Sequence, residues 1–144
     1  MIIRAKKEDA LAVAQLAVKM WADNVPEELA EEMSKVIDSD EGTIFFAEKN
    51  GRVVGFAQCQ LRHDYVEGTD SSPVGYLEGI YVADGYRKQG IAKELLTACE
   101  SWAKEKGCTE FASDCELSNV QSLQFHLNVG FEEANRIICF TKKL

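Results

Sequence analysis

The chain has 144 residues, 46% of them hydrophobic and 28% charged, and its 24 acidic against 16 basic side chains give a formal charge of −8. One compact domain over residues 1–144 is expected, since no linker-like stretch divides the chain and no apolar run is long enough to cross a bilayer. The negative balance repels nucleic acid and anionic membranes and attracts cationic ligands such as polyamines.

The start Met1-Ile2-Ile3-Arg4 lacks the basic, apolar and small-residue pattern of an export signal, so a cytoplasmic location is expected. Met1 to Arg4 reads as a short strand, and the apolar spacing over Glu8 to Trp21 predicts a helix. Pro26 opens a second, acid-rich helix that runs to about Ser39, with Leu29, Met33, Val36 and Ile37 on one face. Thr43 to Lys49 and Arg52 to Leu61 are β-rich runs around Asn50-Gly51, a dipeptide suited to a type I′ hairpin turn. His63 to Gly75 is polar and turn-rich, and Tyr76 to Val82 reads as a buried strand.

Asp84 to Gly90 is a loop that leads into an amphipathic helix, Ile91 to Lys106, stopped by Gly107. Thr109 to Cys115 is a further strand, so this helix should cross between two parallel strands. Ser118 or Asn119 caps a helix that ends near Val129 and Gly130, and Ile137 to Thr141 reads as a last strand. The fold class is mixed α/β. Five scattered cysteines and two distant histidines suggest neither a disulfide framework nor a metal site, and Cys99 and Cys139 are expected to be buried thiols.

The chemically informative segment is the loop Asp84 to Gly90 between a buried strand and a long helix. A diphosphate requires inward-facing backbone N–H groups beside a helix N-terminus, and a glycine at Gly90 lets backbone approach a ligand closely. Arg87, Lys88 and Lys93 add positive charge. Neither a P-loop nor a GxGxxG pattern is present, which argues against ATP, GTP and dinucleotides.

Arg87-Lys88-Gln89-Gly90-Ile91-Ala92 resembles the R/Q-x-x-G-x-G/A signature of GCN5-related N-acetyltransferases, with Ala92 where glycine is common. The resemblance implies a central, mostly antiparallel sheet with one splayed parallel pair, flanked by helices. It also implies acetyl-CoA as co-substrate, with its diphosphate on Arg87 to Lys93 and its pantetheine arm along Ile80, Tyr81 and Val82 and near Asn119.

The segments Arg62 to Gly68, Asp70 to Val74, Leu77 to Ile80, Ala112 to Asp114 and Gly130 to Glu133, with Trp21, are similar to those of aminoglycoside 6′-N-acetyltransferases, which inactivate antibiotics such as kanamycin and tobramycin. By that resemblance an acidic floor and aromatic walls hold a polycationic sugar. Trp21, Tyr65, Glu78 and Asp114 are then the substrate positions, and the chain is a homodimer.

The residues also allow plainer readings. Glu78 lies in an apolar strand and is expected to face a cavity, helping an ammonium lose its proton, or else to be salt-bridged. Trp21 and Tyr65 could be core aromatics, and Asn119 could be only an N-cap. His126 stands where relatives carry a tyrosine that protonates the departing thiolate, and it is equally readable as a structural histidine. The apolar run Ile137 to Phe140 suggests an edge that needs pairing. Acetylation of a polyamine, metabolite or protein amine, or acyl-CoA binding without catalysis, are the competing functions.

Overall fold

The computed structural model describes residues 1–144. Strands β1 (Ile2–Arg4), β2 (Gly42–Lys49), β3 (Arg52–Arg62), β4 (Val74–Val82) and β5 (Phe111–Ser113) form one sheet in chain order. Neighbours run antiparallel except β4 and β5, which are parallel and joined through helix α3 (Ile91–Glu105), as the strand–loop–helix–strand pattern predicts. Helices α1 (Ala10–Ala17) and α2 (Pro26–Asp38) cover one face of the sheet, while α3 and the apolar side of α4 (Val120–Asn128) cover the other.

Local chemistry accounts for the elements. Asn50 and Gly51 close the β2–β3 hairpin with φ of 52° and 73°, the positive pair that a type I′ turn requires. Pro26 opens α2, followed by Glu27 and Glu28 in its first turn. The first helix is shorter than the periodicity predicts: a 3-10 turn spans Lys7–Asp9, and α1 ends at Ala17. Past that point Lys19 and Met20 bond three residues back rather than four, a tightened ending that carries Trp21 off the helix and over the sheet.

The C-terminal segment departs from expectation. Ile137 to Thr141 form no strand, and Ile138 and Phe140 stand 81% and 87% exposed. Cys139, expected to be buried, is exposed, whereas Cys99 is buried as expected beside Cys59. A strand requires a ladder partner, and no strand of its own chain offers one to this segment. The segment is tied down at its start, where Asn135 Nδ2 donates to Glu67 Oε1 at 3.1 Å and Arg136 pairs with Glu133.

One irregularity sets the site. On β3, Gln58 pairs with Gly79 and Cys59 with Leu77, so Glu78 is an extra residue of β4 with no partner. Such a bulge inverts the inward and outward sense of every later side chain. Leu77 packs against the α3 face, yet beyond the bulge it is Ile80 and Val82 that do so, and Tyr81 turns to the α1 face. The same kink takes β4 away from β5, whose ladder ends at Leu77↔Ser113. For that reason β5 ends at Ser113 rather than Cys115, while at its other end it begins at Phe111, opposite Gly75 near the start of β4, rather than at Thr109.

Candidate active site

Beyond Leu77, Gly79 to Val82 of β4 pair with β3 on one side and with no strand on the other. The gap so formed exposes backbone along Ile80, Tyr81 and Val82, the residues expected to hold an extended arm. At its far end the chain enters the loop Asp84 to Gly90. Lys88 and Gly90 both have positive φ, 63° and 83°, and no side chain caps the N-terminus of α3. Uncapped backbone N–H groups at a helix start, with residues in the left-handed region before them, form a concavity suited to a diphosphate. A Cβ at Gly90 would meet nothing within 4 Å, so glycine is required there by conformation rather than by contact.

The side chains of this loop divide between two tasks. Arg87 turns back on its own strand: Nε donates to the Val82 carbonyl at 2.9 Å, and the guanidinium lies 3.3 Å from Asp84 and 5.3 Å from the Tyr81 ring centre. Gln89 accepts from Lys49 at 2.9 Å. Both brace the loop, which leaves Lys88 and Lys93, exposed at its rim, as the free cations. Ile91 and Ala92 supply backbone, and Ile91 is buried. Nothing in this arrangement conflicts with a bound CoA diphosphate and pantetheine arm.

On the α1 face the bulge aims Glu78 into a charged network. Arg62, the last residue of β3, forks onto the carboxylate, Nε to Oε2 at 3.2 Å and an Nη to Oε1 at 2.8 Å. Its guanidinium carbon lies 3.4 Å from the centre of the Tyr76 ring, and the Tyr76 hydroxyl donates to Asp114. Burial, and then the bond to Asp114, hold the Tyr76 phenol well above its ordinary pKa, so it remains a donor. Hydrogen bonding to Glu78 pushes the Arg62 guanidinium upward, against the effect of its partial burial. Glu78 is therefore salt-bridged rather than facing an empty cavity.

Trp21 stands beside this network. Its indole meets Phe56 edge-on, centroids 5.5 Å apart, and lies so close over Gly79 that a Cβ there would sit 2.4 Å from the Trp21 ring. It thus packs as part of the core while lying over the bulged stretch of β4. Tyr65, 76% exposed, extends from the loop after β3 and accepts a long bond from the Gly68 amide. Tyr65, Arg62, Tyr76, Asp114 and His126 border an open cleft of about 1390 Å³ between that loop, β5, α4 and the C-terminal segment.

His126 is held on the opposite, α3 side of the gap. Nδ1 lies 2.6 Å from the carbonyl oxygen of Ser122, which can only accept, so Nδ1 carries a hydrogen. Nε2 lies 2.7 Å from Ser113 Oγ, and in the neutral ring it accepts the serine proton. Asn119 is the N-cap of α4, its Oδ1 accepting from Ser122 N at 3.0 Å.

Four residues of the site were not singled out from sequence: Arg62, Tyr76, Gly79 and Ser113. Gly79, directly after a glutamate in an apolar strand, carried a usable signal, because a strand-interior glycine marks a bulge or a close approach. The pairings of Arg62 with Glu78 and of Ser113 with His126 join residues 16 and 13 positions apart and depend on strand register.

Residues 11–131 match the model of the acetyltransferase (GNAT) family. The chain belongs to that family. Within this acetyltransferase family it is 42% identical to an aminoglycoside N(6′)-acetyltransferase type 1 of Stenotrophomonas maltophilia, covering 99% of this chain and 93% of the relative. A protein of the same description from Serratia marcescens is 39% identical over 100% of this chain and 99% of its own. Among solved structures, AAC(6′)-Iy in complex with a bisubstrate analogue, CoA-S-monomethyl-acetylneamine, superposes with a TM-score of 0.95 at 35% identity over 100% of this chain and 98% of that one. The apo 6′-N-acetyltransferase AAC(6′)-IG of Acinetobacter haemolyticus does so with a TM-score of 0.93 at 34% identity, over 100% and 99%.

Proposed function

We propose that this chain transfers the acetyl group of acetyl-CoA to the 6′-amine of an aminoglycoside, as one N-acetyltransferase domain of residues 1–144 acting in the cytoplasm. The observation that carries the reading is the gap between β4 and β5 just beyond Leu77 and Ser113. It opens between the carboxylates of Glu78 and Asp114 on one side and the Ser113–His126 pair on the other. The relatives' names and the bisubstrate complex of the neighbouring structure supply the substrate class.

Bound acetyl-CoA supplies a thioester whose carbonyl carbon accepts an amine and whose sulfur leaves as thiolate. Ile80, Tyr81 and Val82 hold the pantetheine arm through backbone, Asn119 borders it, and Lys88 to Lys93 hold the diphosphate. Glu78 binds the reacting ammonium and takes its proton, directly or through water, because only the neutral amine attacks. Asp114 binds a second ammonium, and Trp21 and Tyr65 offer faces to the sugar rings. The C–N bond forms as the C–S bond breaks, in one ternary complex. When His126 is protonated its Nε2 donates to Ser113 Oγ, which frees the serine hydrogen to pass to the thiolate as His126 supplies the replacement.

The decisive experiment follows thiol release from acetyl-CoA with kanamycin and identifies the product by mass spectrometry. Acetyl transfer to kanamycin at the 6′-amine is expected. Turnover with spermidine or lysine but none with kanamycin would replace the substrate class, and no product with any amine would leave a binding module. The chain is further proposed to act as a homodimer, because Ile137 to Phe140 leaves a run of apolar side chains in solvent that a second copy would cover. Sedimentation at micromolar concentration showing only the 16.0 kDa species would exclude it.

A further inference from the structure

We propose that Arg62 is a resident cation that occupies the ammonium site on Glu78 and that every substrate must displace, setting a binding threshold that a polycation passes and a single amine does not. The proposal rests on the aminoglycoside reading of the cleft and goes beyond it by assigning the residue that sets the charge requirement.

Both side-chain hydrogen bonds of Arg62 go to Glu78, one to each carboxylate oxygen. Its remaining support is the Tyr76 face beneath it. No second carboxylate clamps it, and its side chain is 43% exposed while that of Glu78 is 20% exposed. The guanidinium is thus a lid over the carboxylate, anchored at one end and free to swing into the open cleft that it borders. A planar fork is the strongest side-chain match for a carboxylate, so it holds the site well when no ligand is present. An ammonium arriving at Glu78 meets oxygens already paired.

Charge determines which ligands succeed. With Arg62 in place, the group Arg62, Glu78 and Asp114 carries one net negative charge, and with Arg62 swung out the two carboxylates remain. A single amine replaces one ion pair by another and gains little. A ligand with two suitably spaced ammonium groups replaces the pair at Glu78 and adds one at Asp114, which sits at the Tyr76 hydroxyl. Arg62 therefore imposes a cost that only a polycation offsets. If Arg62 instead stayed in place and merely oriented Glu78, removing it would harm every substrate alike.

The test compares wild type, Arg62→Gln and Arg62→Lys with kanamycin and with 6-amino-6-deoxyglucose, the corresponding hexose with a single amine. Arg62→Gln is expected to lower the KM of both amines by a similar factor, roughly tenfold, the size of one charge-assisted pair, because either must displace the same guanidinium. Arg62→Lys, a point charge without the fork or the stack, should fall between. The affinity for acetyl-CoA and the melting temperature are controls that should change little. Calorimetry of both amines into the complex with CoA reads the same exchange without turnover, so the result stands even where acetyl transfer fails. A loss of affinity for either amine in Arg62→Gln, or no change for both, overturns the proposal, whereas failure of wild type to acetylate kanamycin overturns only the reading of the reaction.

Discussion

Strand β4 contains two regions that differ in kind. Gly75 to Leu77 pair on both sides and are all buried, serving as a central strand. Gly79 to Val82 pair on one side only, and three of the four are half-buried. The residue between them is the bulged Glu78. One extra residue thus ends a parallel ladder, inverts the two faces of the strand, and leaves a carboxylate at the mouth of the resulting gap. The first region supplies stability, and the second supplies backbone groups and a charge that a fully paired strand would have used up.

The strongest test of that division is Glu78→Gln, which keeps the shape of the bulged residue and removes its charge. If Glu78 binds the reacting ammonium, kcat/KM for an aminoglycoside should fall by roughly tenfold to a hundredfold, the size of a charge-assisted hydrogen bond, while acetyl-CoA affinity is spared. The activity that remains should rise more steeply with pH, because the amine must then supply its own neutral fraction. A pH–rate series beside CoA titrations measures both. Equal loss of CoA binding would mean that the bulge, rather than the carboxylate, had been disturbed.

A smaller effect is expected across the gap. Ser113→Ala removes the hydroxyl between His126 and the proposed thiolate position, and kcat should fall by about tenfold with KM unchanged, at the low end for proton transfer because a thiolate leaves readily. His126→Phe should give a similar loss, and the double variant no more than either alone, since both belong to one relay. Additive losses in the kinetics of the double variant would show that the two act separately.

Gly79→Ala tests the close packing that follows the bulge. A Cβ would sit 2.4 Å from the Trp21 ring and 2.8 Å from Met20, so the indole must move. Overpacking of this kind costs about 1–3 kcal/mol, to be read as a lowered melting temperature. The aminoglycoside KM should rise with it if Trp21 is a wall of the cleft, and should remain unchanged if Trp21 serves only the core.

The parts of this molecule that could be read from its sequence are those encoded locally. The Asn50-Gly51 turn, the Pro26 start of α2 and the Gly90 entry to α3 each depend on one or two residues whose backbone preferences are strong. The parallel neighbours β4 and β5 followed from a strand–helix–strand order. The bulge was hidden because it exists only in the register between β3 and β4, and with it went the partners of Glu78 and the short length of β5. The apolar run of Ile137 to Phe140 was genuine but did not produce a strand, since an apolar run describes a segment and pairing requires a second one. Trp21 was difficult to assign for a related reason: that its indole lies over Gly79 of the bulged strand depends on tertiary packing, which leaves no mark in the local sequence.

The smallest expected effect concerns Tyr76, which belongs to the fully paired region of β4 yet connects with the charged one. Burial first, and then the bond to Asp114, raise its pKa above the ordinary 10.0. The folded protein therefore keeps the phenol protonated at pH values where the unfolded chain releases the proton. Below about pH 10 both states hold it and the group adds no pH dependence; above that, ionisation favours the unfolded state and stability declines as pH rises toward the folded pKa. Tyr76→Phe removes this contribution together with the hydrogen bond to Asp114. Other groups titrate in the same range, so the informative quantity is the difference between denaturation curves of wild type and Tyr76→Phe from pH 8 to 11. Wild type should hold its advantage up to about pH 10 and lose part of it above. A constant difference across the whole range would show that the phenol is not held by burial and Asp114, and that the two regions of β4 are electrostatically independent.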